Sequence, residues 1–92
     1  MDRAAAEALA QEALIWIVRS EDLLPVFLNA TGSDAQSVRA GARDPDFLAS
    51  VLDFVMLDDA WIVAFCDAGG HAYETVGRAR AALPGGAAVH WT

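Results

Sequence analysis

The chain has 92 residues, which corresponds to one domain with room for one modest hydrophobic core. Hydrophobic residues make up 55% of the sequence, which excludes a disordered chain, yet the apolar run at residues 13–18, like every other in the sequence, is too short to cross a bilayer. The net charge of -7 disfavours phosphate backbones and anionic lipid as partners and favours basic surfaces.

The first predicted helix runs from about Arg3 to Val18, because apolar residues recur there at spacings of three and four. Ile15 and Val18 lie near the border of its apolar stripe. We expect the following residues of this helix to face inward: Leu9, Ala13, Trp16 and Ile17.

The second and third predicted helices are short. Ser20 offers an N-cap for the second helix, which ends near Gly32. Pro25 has no amide donor, so this helix either starts late or bends at that residue. Ser33 and Gln36 match the S-x-x-Q capping box of the third helix.

The second half of the chain predicts three more helices. Asp44 caps the fourth helix and Pro45 takes its first position, and the apolar sequence that follows marks it as the central, most buried helix. Asp58 caps the fifth helix, which ends at residues 69–70. The sixth helix spans about residues 72–83 and stops before the sequence PGG.

These elements predict an all-α protein, a compact bundle of five or six short helices in a single domain over residues 1–92. Residues 85–92 are expected to form an irregular tail. A shift of 38 residues aligns the chain with itself, so residues 1–45 and 46–84 are possible halves of a three-helix repeat. Amphipathic helices align easily, so the match is either structural or accidental. The aligned pairs include Leu14 with Leu52, Cys66 with Leu28, His71 with Ser33, and Gly32 with Gly70.

The expected core consists of the larger apolar residues on the inward stripes of these helices. It comprises Leu14, Ile17, Leu24, Phe27, Leu28, Phe47, Leu48, Val51, Leu52, Val55, Trp61, Ile62, Phe65, Val76 and Leu83.

Few residues point to catalysis or to metal binding. Cys66 is the only cysteine, which excludes an internal disulfide and a multi-cysteine zinc site. Cys66, His71, Glu74 and His90 are the available metal ligands, but none of them pair at the i, i+4 spacing that places two ligands on one helical face. We therefore expect a buried thiol, solvated histidines, and no metal or other cofactor. An enzyme is the third hypothesis, and a reactive Cys66 thiol would distinguish it.

Asp53 is the most informative acidic residue, because it interrupts the apolar run of the fourth helix. An ionised carboxylate is not stable in a core without a partner. We expect Asp53 to lie at the helix margin and to pair with Arg78 or Arg80; the alternative is a functional carboxylate.

The leading functional hypothesis is a protein-protein interaction module, whose partner is another protein or a second copy of the chain. The candidate surface residues are Ile15, Val63 and Trp91, of which Trp91 lies in the tail. Acidic residues occupy the N-terminal positions where a cleaved leader would be apolar, so we expect a cytoplasmic location.

The alternative hypothesis is a nucleic-acid-associated regulator. The second and third helices, and again the fifth and sixth, resemble helix-turn-helix pairs with arginines on the second member. These arginines are Arg39 and Arg43 in the first pair, and Arg78 and Arg80 in the second. Two arginines neutralise few phosphates, and the net charge argues against this alternative.

Three segments resemble those of a bacterial family of short proteins, the "domain of unknown function 3572" family. They are FLASVLDFVMLDD, the preceding FLNATG, and ARAALPGG with the closing HWT. The resemblance covers nearly the whole chain and includes no recognised chemical motif. It implies a short bacterial protein without an assigned activity, so no catalytic residue can be carried over from it.

Overall fold

A computed structural model describes residues 1–84, and within this range the chain forms six α-helices and no strand. The prediction of an all-α bundle is confirmed. No helix within residues 1–84 is long and apolar enough to cross a membrane. The helices are α1 (Arg3–Arg19), α2 (Leu23–Thr31), α3 (Ala35–Gly41), α4 (Pro45–Val55), α5 (Asp59–Gly69) and α6 (Thr75–Ala81).

Aspartate side chains start four of these helices, α1, α3, α4 and α5, by accepting hydrogen bonds from amides of the first turn. Asp2 accepts from Ala5 at the start of α1 at 2.7 Å. Asp44 and Asp58 cap α4 and α5 in the same way, and Pro45 takes the first position of α4. The predicted starts of α4 and α5 are therefore confirmed. Each cap satisfies a backbone amide that has no partner inside the helix.

Helix α2 starts late, at Leu23, which resolves the difficulty with Pro25. Pro25 then lies in the first turn, where a backbone amide would have no helical partner to lose. Ser20 remains involved, since its hydroxyl oxygen accepts a hydrogen bond from the amide of Leu23 at 3.1 Å. The residues between Ser20 and Leu23 form a turn rather than the first turn of the helix.

Two predicted helix boundaries are wrong. Asp34, not Ser33, caps α3, because its carboxylate accepts from the amide of Ser37 at 2.8 Å and leaves the predicted capping box unformed. Helix α6 covers only Thr75–Ala81, shorter than the predicted residues 72–83. No side chain caps its start, so the residues before Thr75 remain in a turn.

The core lies where α1 crosses α4, and the remaining helices pack around this pair. Helix α1 contacts α2, α4 and α6, while α4 contacts every other helix. Most of the predicted core is buried, and edge-to-face contacts of Phe27 with Phe47 and Phe54 join α2 to α4. The largest fully buried side chains are Phe27, Phe65, Ile17, Leu48, Leu52, Val51, Val55, Val76 and Cys66.

The predicted core differs from the observed one in two respects. Five of the predicted core residues are only half-buried and pack on the outside of the core: Leu24, Leu28, Phe47, Trp61 and Ile62. Phe54 and several alanines are buried without having been predicted. Ala6 and Ala10 of α1 and Ala49 of α4 are among these buried alanines, and small side chains of this kind let packed helices approach closely.

The same backbone turn ends α2 and α5. Gly32 and Gly70 both have left-handed backbone angles, with φ of 68° and 74°. The following amides, of Ser33 and His71, donate to the carbonyls of Leu28 and Cys66. These paired positions are those that the shift of 38 residues aligns. The same shift does not align the bounds of α3 with those of α6, however. The duplication of residues 1–45 and 46–84 stays a proposal.

Candidate interaction groove

An apolar groove of about 370 Å³ lies between α1, α2 and α3. Leu14, Ile15 and Val18 of α1 form one wall, and Val38 of α3 lies on the other. Two half-buried leucines of α2 complete the lining, Leu24 and Leu28. The surface of the groove is almost wholly apolar. We call it the α1–α3 groove.

The groove exists because α1 carries more apolar residues than its buried face can hold. Residues 14–18 are five consecutive apolar residues, and about 100° of rotation per residue spreads them around the whole helix. Leu14 and Ile17 therefore face the core, while Ile15 and Val18 remain 53% and 44% exposed. The side chains that the core cannot bury form the wall of the groove.

The α3 side of the groove is fixed to α1 by a polar contact. Gln11 donates a hydrogen bond from Nε2 to the carbonyl oxygen of Ala42 at 2.8 Å, and these residues are 31 positions apart. Gln11 lies one turn before Leu14, and Ala42 itself lines the groove. The hydrogen bond therefore links α1 to the end of α3 beside the groove.

The charges at the rim of the groove are basic, in contrast to the acidic chain. Arg19 on α1 and Arg39 on α3 line the groove, and no acidic residue does so. Within residues 1–84 neither guanidinium is engaged in an ion pair or a side-chain hydrogen bond. A second, more open hollow lies beside the groove, shares Ile15 and Arg19 with it and includes Glu12, and a third hollow includes Asp53.

The structure places the three predicted surface residues in different settings. Ile15 lines the α1–α3 groove. Val63 is 40% exposed on α5 and does not line the groove. Trp91 lies outside the described residues, as does His90. The half-buried Trp16 and Trp61 pack against the core, in contact with Phe65 and Phe54 respectively.

Asp53 forms the predicted ion pair with an arginine. Arg80 Nε donates to Asp53 Oδ1 at 2.6 Å, which joins α6 to α4. Arg80 also donates from Nη1 to the carbonyl oxygen of Pro84 at 2.9 Å, and its side chain is only 14% exposed. Arg80 is therefore engaged within the fold, which leaves Arg39, Arg43 and Arg78 as the exposed candidates for nucleic-acid contacts.

Cys66 and His71 are not hydrogen-bonded to each other, and each has a different partner. The buried thiol of Cys66 lies 3.6 Å from the carbonyl oxygen of Ala72, which accepts its hydrogen bond. His71 is half-buried rather than solvated, since Nε2 lies 2.6 Å from Glu12 Oε2. Burial raises the pKa of the Cys66 thiol, and nearby carboxylates raise it further. This setting disfavours the thiolate that a nucleophile requires.

The remaining titratable groups with shifted pKa values lie on the surface and have local causes. The hydrogen bond from the amide of Ser37 lowers the pKa of Asp34, the cap of α3. The hydroxyl of Tyr73 donates to Asp67 at 2.8 Å, and this bond raises the pKa of Tyr73. Within residues 1–84, no three His, Cys, Asp or Glu side chains come together as a metal-binding group.

The groove was only partly predictable. The border of the α1 stripe predicts Ile15 as a surface residue, but the same periodicity predicts Leu24 and Leu28 as core residues and gives no indication of a role for Arg19. The signal that was missed is the run of five apolar residues ending directly before an arginine. A run of this kind on a helix predicts apolar side chains that the core cannot bury.

Comparison with known proteins supports the family resemblance. The model of a family described as "Protein of unknown function (DUF3572)" matches residues 3–86. No curated protein and no solved structure matches the chain.

Proposed function

The chain belongs to the DUF3572 family, and we propose that it is a non-catalytic interaction module that binds an apolar helical segment of a partner protein in the α1–α3 groove. The observation that carries this proposal is the combination of shape and polarity. Helices bind grooves through apolar side chains at i, i+3, i+4 and i+7. The α3 wall is itself a stripe of that spacing, from Ala35 through Val38 and Arg39 to Ala42.

The dimensions of the groove support a helix as the occupant. Residues 35 and 42 are seven positions apart, which corresponds to about 10 Å along the axis of α3. About two turns of a partner helix therefore lie against this wall. The volume of about 370 Å³ is at the lower end of the range of small-molecule pockets, roughly 300 to 1,000 Å³. Such pockets bury most of their ligand, whereas Ile15 and Val18 stand half-exposed at this rim.

The chain offers a matched pair of variants that tests this proposal. Val18 and Val63 are both helical valines, with 44% and 40% exposure, but only Val18 lines the groove. Val18→Asp places a charge in the groove, whereas Val63→Asp makes the same change elsewhere. Circular dichroism establishes that both variants remain helical. The measurement is affinity capture of the full chain from its native lysate, with nuclease treatment and mass spectrometry.

We expect the wild-type chain and Val63→Asp to capture the same nuclease-resistant protein, and Val18→Asp to lose it. Equal capture by both variants would contradict the groove as the binding surface. Loss of the partner on nuclease treatment would instead favour the nucleic-acid alternative through Arg39, Arg43 and Arg78.

A further inference from the structure

We infer that the segment bound in the α1–α3 groove is an acidic amphipathic helix, with Asp or Glu on both sides of its apolar stripe. This inference rests on the proposed function and adds the charge of the partner. It is argued from the two arginines at the rim, from the absence of acidic lining residues and from the open shape of the groove.

The two arginines lie on different helices of the groove. Arg19 extends from the α1 wall and Arg39 from the α3 wall, so the arginines flank the groove from opposite sides. A helix that lies in the groove presents residues on both sides of its apolar stripe to these walls. A carboxylate on each side of the stripe can therefore pair with one arginine, whereas a lysine in the same place would face a like charge.

Other arginines of the chain already have ion-pair partners, whereas Arg19 and Arg39 have none within residues 1–84. Arg3 is paired with Glu7, and Arg80 with Asp53. Within the described part of the chain, Arg19 and Arg39 form no such pair and are exposed. Their guanidinium groups remain available for bidentate hydrogen bonds to a carboxylate of the partner.

The net charge of -7 repels an acidic partner at long range, in opposition to the two arginines. At an ionic strength of roughly 0.15 M, exposed charges more than about 8 Å apart are largely screened from each other. Contacts at the rim of a groove act over shorter distances than that, so the arginines decide which helix fits once it is docked. The net charge instead slows the approach of the partner.

The open shape of the groove distinguishes this partner from a free fatty acid, which also combines an apolar chain with a carboxylate. A small-molecule pocket normally buries roughly 70–90% or more of the surface of its ligand. Ile15 and Val18 are half-exposed at the rim, so this open groove would cover an acyl chain less completely than a closed pocket does. A helix covers the same rim with its own flanking residues. The inference therefore commits to a protein helix.

The test uses two synthetic helical peptides of about 16 residues that share one apolar stripe. One carries Glu at the positions flanking the stripe, and the other carries Lys at the same positions. Each is titrated into the full-length chain labelled at the methyl groups of Ile, Leu and Val, at roughly 0.15 M salt. The methyl shifts of Ile15, Val18, Leu24 and Leu28 report occupancy of the groove.

We expect the Glu peptide to shift these methyl signals at a concentration about tenfold lower than the Lys peptide requires. In the double variant Arg19→Gln, Arg39→Gln the two peptides become equivalent. Equal effects of the two peptides on the wild-type groove would overturn the acidic partner and leave the proposed groove function standing. If neither peptide shifts the groove signals at millimolar concentration, both proposals fail.

Two further arms complete the design. The Val18→Asp variant is expected to bind neither peptide, because it changes the apolar wall and not only the charge. Titration with laurate tests whether a free fatty acid, which also combines an apolar chain with a carboxylate, occupies the groove instead of a helix. If laurate saturates the groove signals at a lower concentration than the Glu peptide does, the helical partner is overturned.

Discussion

Glu12 on α1 and His71 in the turn between α5 and α6 are 59 residues apart in sequence, yet Glu12 Oε2 and His71 Nε2 lie 2.6 Å apart. His71 also stacks on Phe65, with ring centroids 5.6 Å apart. A methyl group added at Gly69 would overlap both side chains of the pair, so the backbone of α5 lies directly against it. The contact joins the first helix to the second half of the chain.

His71→Ala is expected to lower the free energy of unfolding by about 1 kcal/mol, because it removes a hydrogen bond to Glu12 and a ring contact with Phe65. The control is Glu7→Gln, which removes the exposed i, i+4 pair with Arg3 and should cost only about 0.3 kcal/mol. Urea denaturation measures both. Equal losses would show that the long-range contact stabilises the fold no more than a surface pair does.

The glycines predict opposite effects of the same substitution. Gly32 and Gly70 have left-handed backbone angles, so Ala at either position is strained and should cost about 1 kcal/mol or more. Gly77 lies inside α6 with open space around it, so Gly77→Ala should stabilise by about 0.5 to 1 kcal/mol. Thermal unfolding separates the two directions. Stabilisation by Gly70→Ala would contradict the observed end of α5.

The pKa of Cys66 predicts both its reactivity and a pH dependence. Burial, and then the charges of Asp67, Glu12 and Glu74, raise this pKa above its ordinary value of 9.0. The thiol stays protonated in the folded state, so it should react slowly with iodoacetamide at neutral pH and rapidly after unfolding in urea. Fast labelling of the folded chain would contradict its burial.

The same shift links Cys66 to stability. A raised folded-state pKa contributes stability that is complete below the pKa of the unfolded chain and is lost as the pH rises through the folded-state value. The wild-type chain should therefore lose more stability than Cys66→Ala when the pH rises above about 9. Chemical denaturation at a series of pH values measures this difference. Parallel pH profiles of the two proteins would count against it.

The ion pair between Asp53 and Arg80 predicts unequal effects of changing its two members. Arg80 is mostly buried and makes a second hydrogen bond to Pro84, so Arg80→Ala should cost about 1 to 2 kcal/mol. Asp53 is 57% exposed, and Asp53→Asn should cost only about 0.5 kcal/mol. Urea denaturation compares the two. A larger loss from Asp53→Asn would indicate that the carboxylate has a role beyond this pair.

Much of the fold was predictable from local sequence signals. Caps and breakers have physical effects within a few residues, so Asp44, Pro45, Asp58 and Gly70 mark helix ends that the structure confirms. The predicted range of α6 is too long because no side chain caps the start of this helix. The S-x-x-Q pattern predicts Ser33 as the cap of α3, whereas Asp34 caps it. Both are good capping residues, and sequence alone does not determine which side chain reaches the amide.

The site was less predictable than the fold, because a groove depends on which helices become neighbours. The apolar spacing identified Ile15 as a surface candidate but did not reveal that α3 would lie opposite it. Likewise, the pattern placed Leu24 and Leu28 in the core, although α2 leaves them half-buried along the groove. The basic rim could not be inferred from composition, since the net charge of -7 hides a local excess of arginine.

The most direct test of the central claim is site-specific photo-crosslinking of the full chain in its native cells. A photo-reactive residue replaces Ala35, which is exposed on the α3 wall of the groove, and in a matched control it replaces Ala64, exposed on α5. The groove function predicts a discrete crosslinked protein from position 35 and none from position 64. Crosslinks of equal yield from both positions, or from position 64 alone, would contradict the α1–α3 groove as the interaction surface.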